Sequence, residues 1–307
     1  MAQLTDTSRA VPGPRHSAAG KRRGRRRFGA DGAGKQQNAG PIAYIILSFA
    51  ALLSLFPLYW TVVAASRTDT EIVTPPTPLL PGSHLIDNLK IVWDQVDMTK
   101  ALINSTIVAG TVALSTVLFA TLAGFAFAKL EFKGRNALLT VVVATMTIPP
   151  QLSVIPLYQI ITNVHWVGHI QAVILPSLVA AFGVFFMRQF LSEALPIELI
   201  EAARVDGANS LRIIWSVVFP IARPAMAVLG MLVFVQSWND FFWPFIALSQ
   251  QNPTVQVALA GLGNGNHAVD HAIVVTGCLV ATLPLLLVFV VLGKQIVGGI
   301  TAGAVKS

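Results

Sequence analysis

The side chains able to do chemistry are few and clustered. Between two long apolar runs lies a charged island at 193–212, carrying Glu193, Glu198, Glu201, Arg204, Asp206 and Arg212. Pro196 suits the first turn of a helix, where a missing N–H costs nothing, and Glu198 and Glu201 set negative charge near that positive end. The spacing predicts a short helix over about 196–205. Asp206-Gly207 is a turn dipeptide, and a glycine after the last helical turn accepts the left-handed backbone that a sharp reversal needs. The island reads as helix, tight turn and second helix. Charge and turn chemistry alone are met equally well by a solvated loop between membrane helices.

A second cluster surrounds Asp240 in Gln236-Ser237-Trp238-Asn239-Asp240-Phe241-Phe242-Trp243-Pro244. Aromatic rings beside amide and carboxylate groups suit a sugar, whose C–H faces stack on rings while its hydroxyls take polar hydrogen bonds. The same residues fit an interfacial aromatic belt, which composition by itself favours. The remaining motifs carry less. Gly29-Ala-Asp-Gly-Ala-Gly34-Lys35-Gln36 imitates a phosphate-binding loop, but Gln36 replaces the metal-binding Ser or Thr and no buried strand precedes the glycines, so this chain is expected to bind no ATP or other cofactor. His267 and His271 lie four apart, as do His165 and His169; an i, i+4 pair chelates zinc only on a helix with further ligands nearby, so no metal site is expected. Asn104-Ser-Thr matches a glycosylation sequon at a span's start and reads as a helix cap. The single cysteine, Cys278, excludes disulfides within the chain.

The elements that must position these residues are membrane helices. Hydrophobic residues make up 54% of the 307 and charged residues 11%, against about 25% charged in soluble domains. Long uncharged runs at 42–66, 101–128, 136–164, 170–187, 213–248 and 272–293 are each long enough to cross the hydrocarbon as a helix. The fifth, interrupted by Arg223, is expected to begin near Pro224. Small residues on the second run, among them Ala109, Ala113, Ala120 and Gly124, permit close helix approach. Prolines inside the runs remove backbone hydrogen bonds, and most are expected to be static bends rather than hinges.

Residues 1–40 hold nine of the 21 Lys and Arg, with the block Lys21-Arg22-Arg23-Gly24-Arg25-Arg26-Arg27, and show no periodic apolar face. A disordered tail is expected, held at the cytoplasmic face against anionic lipid rather than bound to nucleic acid. Lys129, Lys133, Arg135, Arg188, Arg204, Arg212, Arg223, Lys294 and Lys306 fall on the same side as that tail, leaving only Arg67, Lys90 and Lys100 outside. Both termini, and the island at 193–212, are therefore expected in the cytoplasm.

Glu201-Ala202-Ala203, then Asp206-Gly207-Ala208, then Pro220 and Pro224 resembles the EAA loop of binding-protein-dependent ABC importer permeases. Trp238-Asn239-Asp240-Phe241, the Ala-Thr-Leu-Pro run at 281–284 and Gly-Ile-Thr-Ala-Gly-Ala-Val-Lys at 299–306 are similar to carbohydrate permeases, nearest in type to the smaller membrane subunit of maltose-type importers. The resemblance covers the chain from about residue 42; Gly293-Lys294-Gln295-Ile296 departs from the more aromatic, Arg-containing stretch usual there. It implies an all-α membrane protein of six transmembrane helices over 41–300, with a cytoplasmic coupling helix and a short cytoplasmic tail at 301–307: the type I ABC importer permease fold in a bacterial inner membrane. It implies Glu201, Ala202, Ala203, Asp206, Gly207 and Ala208 at the ATPase contact, with Glu201 paired to an ATPase cation. It turns Trp238, Asn239, Asp240 and Phe241 toward a substrate pathway. The implied partners are a second permease, an ATPase dimer carrying ATP and Mg, and an extracytoplasmic sugar-binding protein reached by the loop 249–271. The implied activity is non-catalytic passage of a mono- or oligosaccharide by alternating access. The rivals are a self-contained secondary transporter, disfavoured by the scarcity of intramembrane ionisable groups, and a membrane-embedded enzyme, disfavoured by the lack of a catalytic constellation at membrane depth.

Overall fold

A computed structural model describes residues 40–262 and 269–304, and the expectations for the basic tail and for His267 lie outside them. The described residues are all-α. In order they form α1 (Pro41–Ala65), α2 (Asp69–Val73), α3 (Leu85–Gln95), α4 (Met98–Lys129), α5 (Arg135–Thr145), α6 (Val154–Asn163), α7 (Gln171–Ile174), α8 (Ala181–Ala194), α9 (Ile197–Val205), α10 (Ser210–Ile213), α11 (Phe219–Trp238), α12 (Phe242–Ala247), α13 (Val255–Leu262) and α14 (His271–Ala304). The chain divides into two compact units, 1–53 and 54–307. The first holds the N-terminal half of α1, a continuous apolar helix.

Among the described residues, five helical stretches are long and apolar enough to cross a membrane: α1, α4, 171–194, 210–238 and 271–291. The third apolar run carries a bend of the kind its prolines lead one to expect, and a sharp one. It is α5 and α6 bent by 92°, because Pro149 and Pro150 cannot donate to the helical ladder and each pushes its predecessor out of the α region. Pro149 accordingly sits in extended backbone with φ −59° and ψ 126°. Counting the pair as one span gives six.

The fifth run departs from expectation. The helix starts at Ser210, well before Pro224, and runs through a π-helical turn (Ile214–Val218) into α11. Pro224 removes one N–H inside α11, which a membrane helix tolerates where packing and local adjustment re-satisfy the freed carbonyl. The helix then ends at Trp238, so 239–248 is not part of it. Asn104 is no cap: it is buried within α4, whose N-cap is Asp97, the side chain of which accepts from the Lys100 N–H at 3.0 Å. The last helix continues to Ala304, into the stretch 301–307 expected as a short cytoplasmic tail.

The core forms where α4, α8 and α11 meet, with α6, α7 and α12 against it. Small residues allow the approach, as the sequence leads one to expect. A Cβ at Gly124 would lie 2.7 Å from the Arg188 backbone N and from Met187 Cβ; at Gly183 it would lie 3.1 Å from Ala120 Cβ and Thr116 Cγ2. Without a hydrophobic drive between helices in lipid, such backbone proximity supplies the packing.

The segment expected as an open loop over 249–271 contains buried α13. Val255, Ala258 and Leu262 pack on α4 and α14. Its entry is pinned to α4: Asn104 Nδ2 donates to Asn252 Oδ1 and to the Pro253 carbonyl, each at 2.9 Å, and the Val255 N–H donates to Ser105 Oγ at 2.8 Å.

Candidate coupling loop and translocation cavity

The island at 193–212 is a helix–turn–helix. Pro196 caps α9 with extended backbone, φ −61° and ψ 142°. At the other end Gly207 has φ +78°. The Ala208 N–H donates to the Ala203 carbonyl at 2.9 Å and the Gly207 N–H to the Arg204 carbonyl at 3.0 Å, the paired 6→1 and 5→2 bonds that close a helix through a left-handed glycine. Asn209 then caps α10, its side chain accepting from the Arg212 N–H at 2.8 Å. The reversal is thus closed by hydrogen bonds within its own residues.

One side of this loop is anchored: Leu195, Ile200 and Ile213 are buried, and Ala203 and Ala208 pack on the same core. The other side is bare. Glu201, Ala202, Arg204 and Asp206 are exposed, Val205 is 88% exposed and Leu211 68%. Glu201 makes neither a hydrogen bond nor an ion pair with any described residue. The residues expected at an ATPase contact therefore share one outward-facing surface, apart from Ala203 and Ala208, which attach it to the core.

From Ser210 the rod of 29 residues reaches Trp238, about 43 Å at 1.5 Å per residue. At its far end, Val233, Gln236 and Ser237, on one face of α11, and Asp240, just beyond its end, line a cavity of about 450 Å³. Three interruptions of regular helix converge on it: the 3₁₀ turn Pro150–Ser153, the break at 175–180 and the break at 239–241. α4 closes its floor with Val112 and Thr116. Backbone that leaves the helical ladder at membrane depth is tolerated only where protein buries it or a polar cavity adjoins it.

The four residues expected on a substrate pathway are not gathered at one space. Only Asp240 lines the cavity, its carboxylate facing the N–H groups of Phe242 and Trp243 in the first turn of α12. Trp238 is 1% exposed, stacks on Phe234 at 5.7 Å and donates Nε1–H to the Ala281 carbonyl at 3.2 Å. It belongs to the packing of α11 on α14, because it lies one turn from Phe234 on a face rotated away from Gln236 and Ser237. Asn239 Nδ2 donates to the Val235 carbonyl at 2.8 Å, and Phe241 packs on Phe245 at 5.0 Å, outside the lining.

Sequence reasoning missed Gln151, Ser177, Gln236 and Ser237, which do line the cavity. A usable signal was present: Gln151 and Ser177 each follow a proline inside an apolar run, where a polar side chain and a broken helix coincide.

Residues 116–301 match the family described as binding-protein-dependent transport system inner membrane components. The lactose transport system permease protein LacG of Rhizobium radiobacter is 33% identical over 86% of this chain and 96% of its own length. The arabinooligosaccharides transport system permease protein AraQ of Halalkalibacterium halodurans is 30% identical over 84% and 94%. The sn-glycerol-3-phosphate transport system permease protein UgpE of Yersinia enterocolitica is 31% identical over 71% and 79%. In a solved structure of a bacterial ABC transporter involved in the import of the acidic polysaccharide alginate, one chain superposes with a TM-score of 0.70 at 21% identity, covering 82% of this chain and 94% of that one, so the two share a fold.

Proposed function

This chain belongs to the binding-protein-dependent transport system inner membrane components, and from that premise we propose that it is one membrane-spanning half of an ATP-driven carbohydrate importer. A second permease completes the pathway, an ATPase dimer supplies ATP and Mg chemistry, and an extracytoplasmic binding protein delivers the sugar near the segment 249–262. Both termini lie in the cytoplasm. The chain contributes motion and a passage, not covalent chemistry.

One observation carries the reading. A helix–turn–helix whose Glu201 carboxylate pairs with no described residue is joined by continuous helix to residues that line the cavity. Displacement of the loop by an ATPase subunit is passed along that rod to Gln236, Ser237 and Asp240, which is what rigid-body alternating access requires. Selectivity then arises from contacts that differ between the two end states. A self-contained ion-coupled transporter would need a coupling-ion site, and the cavity offers one carboxylate alone.

The test is Glu201→Lys in the importer reconstituted in vesicles with its ATPase. The variant is expected to insert normally while ATP hydrolysis no longer drives sugar uptake. Uptake equal to wild type at equal ATPase activity refutes the assignment of Glu201 to the contact.

A further inference from the structure

The relatives include transport systems for neutral sugars and for a phosphorylated polyol, so family membership leaves the charge of the cargo open. The cavity addresses it. Besides Thr116 and Ser153, whose hydroxyls donate to the Leu178 and Pro150 carbonyls, its polar lining is Gln151, Ser177, Gln236, Ser237 and Asp240. The side chains of Gln151, Ser177, Gln236 and Ser237 make no hydrogen bond to any described residue. Two carboxamides and two hydroxyls can each both donate and accept, the property that matches a sugar hydroxyl, which does the same. Phe242 and Trp243 border the same space and supply apolar ring surface for C–H faces.

No Lys, Arg or His is among the lining residues, and the one ionisable group there is the Asp240 carboxylate. This carboxylate faces the backbone N–H groups of Phe242 and Trp243. An anion entering this space would meet no cation and would approach a fixed negative charge in surroundings less polar than water, where repulsion is stronger than in bulk.

We propose that this cavity is a binding subsite for an uncharged glycosyl unit, held by Gln151, Ser177, Gln236 and Ser237, and that Asp240 is a specificity-determining residue that rejects anionic sugars. The proposal rests on the permease reading above and adds to it the chemical class of the cargo.

Two measurements test it. The first reads the cavity without transport. In a Cys278→Ser background, Gln236→Cys is labelled in the assembled importer with a cationic trimethylammonioethyl and an anionic sulfonatoethyl methanethiosulfonate. Position 236 lines the same cavity as Asp240, so the cationic reagent is expected to react about five- to tenfold faster relative to its rate on a free thiol. Asp240→Asn is expected to bring that preference close to one, and Asp240→Glu, which keeps the charge, to preserve it. A preference unchanged by Asp240→Asn overturns the inference and leaves the permease reading standing.

The second measurement is ATP-driven uptake over a panel of lactose, arabinotriose, a galacturonate oligomer and glycerol 3-phosphate, in cells with and without this chain. Chain-dependent uptake is expected for neutral members only, with Asp240→Asn narrowing the gap to the acidic ones. Chain-dependent uptake of an acidic probe at rates matching the neutral ones overturns the specificity role. If no member of a panel extended across neutral and acidic sugars depends on the chain, the permease reading itself fails, and this inference with it.

Discussion

Gly207 isolates the backbone contribution to the coupling loop, because nothing lies within 4 Å of where its Cβ would stand. Any substitution there meets open space, and its whole cost comes from holding φ at +78°. A left-handed backbone costs an ordinary L-residue about 1–2 kcal/mol, asparagine less because its short polar side chain bonds locally, and a β-branched residue more. Opening of the turn is therefore expected to become about 5–30 times more favourable in Gly207→Ala, less in Gly207→Asn and most in Gly207→Val. The direct readout is amide hydrogen exchange over 203–210 in the intact chain in a lipid disc. The Ala208 N–H, bonded to Ala203, should lose protection in the order Asn, Ala, Val, and retention of the ATPase subunit should fall in the same order. Exchange that is equal in all three variants, or a Val variant protected like wild type, would refute a turn held by left-handed glycine. The control is Gly134→Ala, which has φ +84° and equally open space but lies outside the loop; it is expected to leave ATPase retention unchanged.

Trp238→Ala is expected to destabilise the bundle by about 3–5 kcal/mol, seen as a lower thermal midpoint and poorer yield, while the surviving protein keeps its sugar affinity; altered affinity at normal stability would return Trp238 to the pathway. Gly124→Ala drives a methyl group into the Arg188 backbone and is expected to cost about 1–3 kcal/mol by overpacking, whereas Gly110→Ala, with nothing within 4 Å, should be neutral in the same thermal assay. The Glu71 carboxyl is held below the usual carboxylate range, first by the Thr68 backbone N–H and then by the Thr68 hydroxyl and Arg67. A depressed folded value means that its contribution is present above the unfolded carboxylate range and is lost as pH falls through the lower folded value. Protection of the Thr68 amide is expected to fall on acidification over that window, and Glu71→Gln should remove the pH dependence.

Much of the candidate site was legible in the sequence. The helix–turn–helix at 193–212 follows from local rules that need no tertiary contact: a proline at entry, an acid, Glu198, in the first turn, glycine at the reversal. The structure keeps each of them, with the start of α9 moved to Ile197. The cavity was legible only in outline. Asp240 stood out as the one deep carboxylate, but Trp238 was grouped with it by adjacency, and a helix turns about 100° per residue. The phase of 233, 236 and 237 was available as a pattern, yet which face looks inward depends on where α14 and α4 lie.

The sequence by itself determined what short-range physics controls: membrane-length apolar helices, a basic N-terminal tail, small residues for close packing on α4, and a polar reversal between two spans. The tertiary structure decided what depends on convergence. Three breaks distant in the chain meet at one cavity, α13 folds back onto α4 through Asn104 and Ser105, and the indole of Trp238 is spent on the α14 backbone. The reason is that hydropathy and turn chemistry act between neighbours along the chain. A broken helix needs a partner or a polar space for its freed backbone groups, and only the packed bundle supplies either.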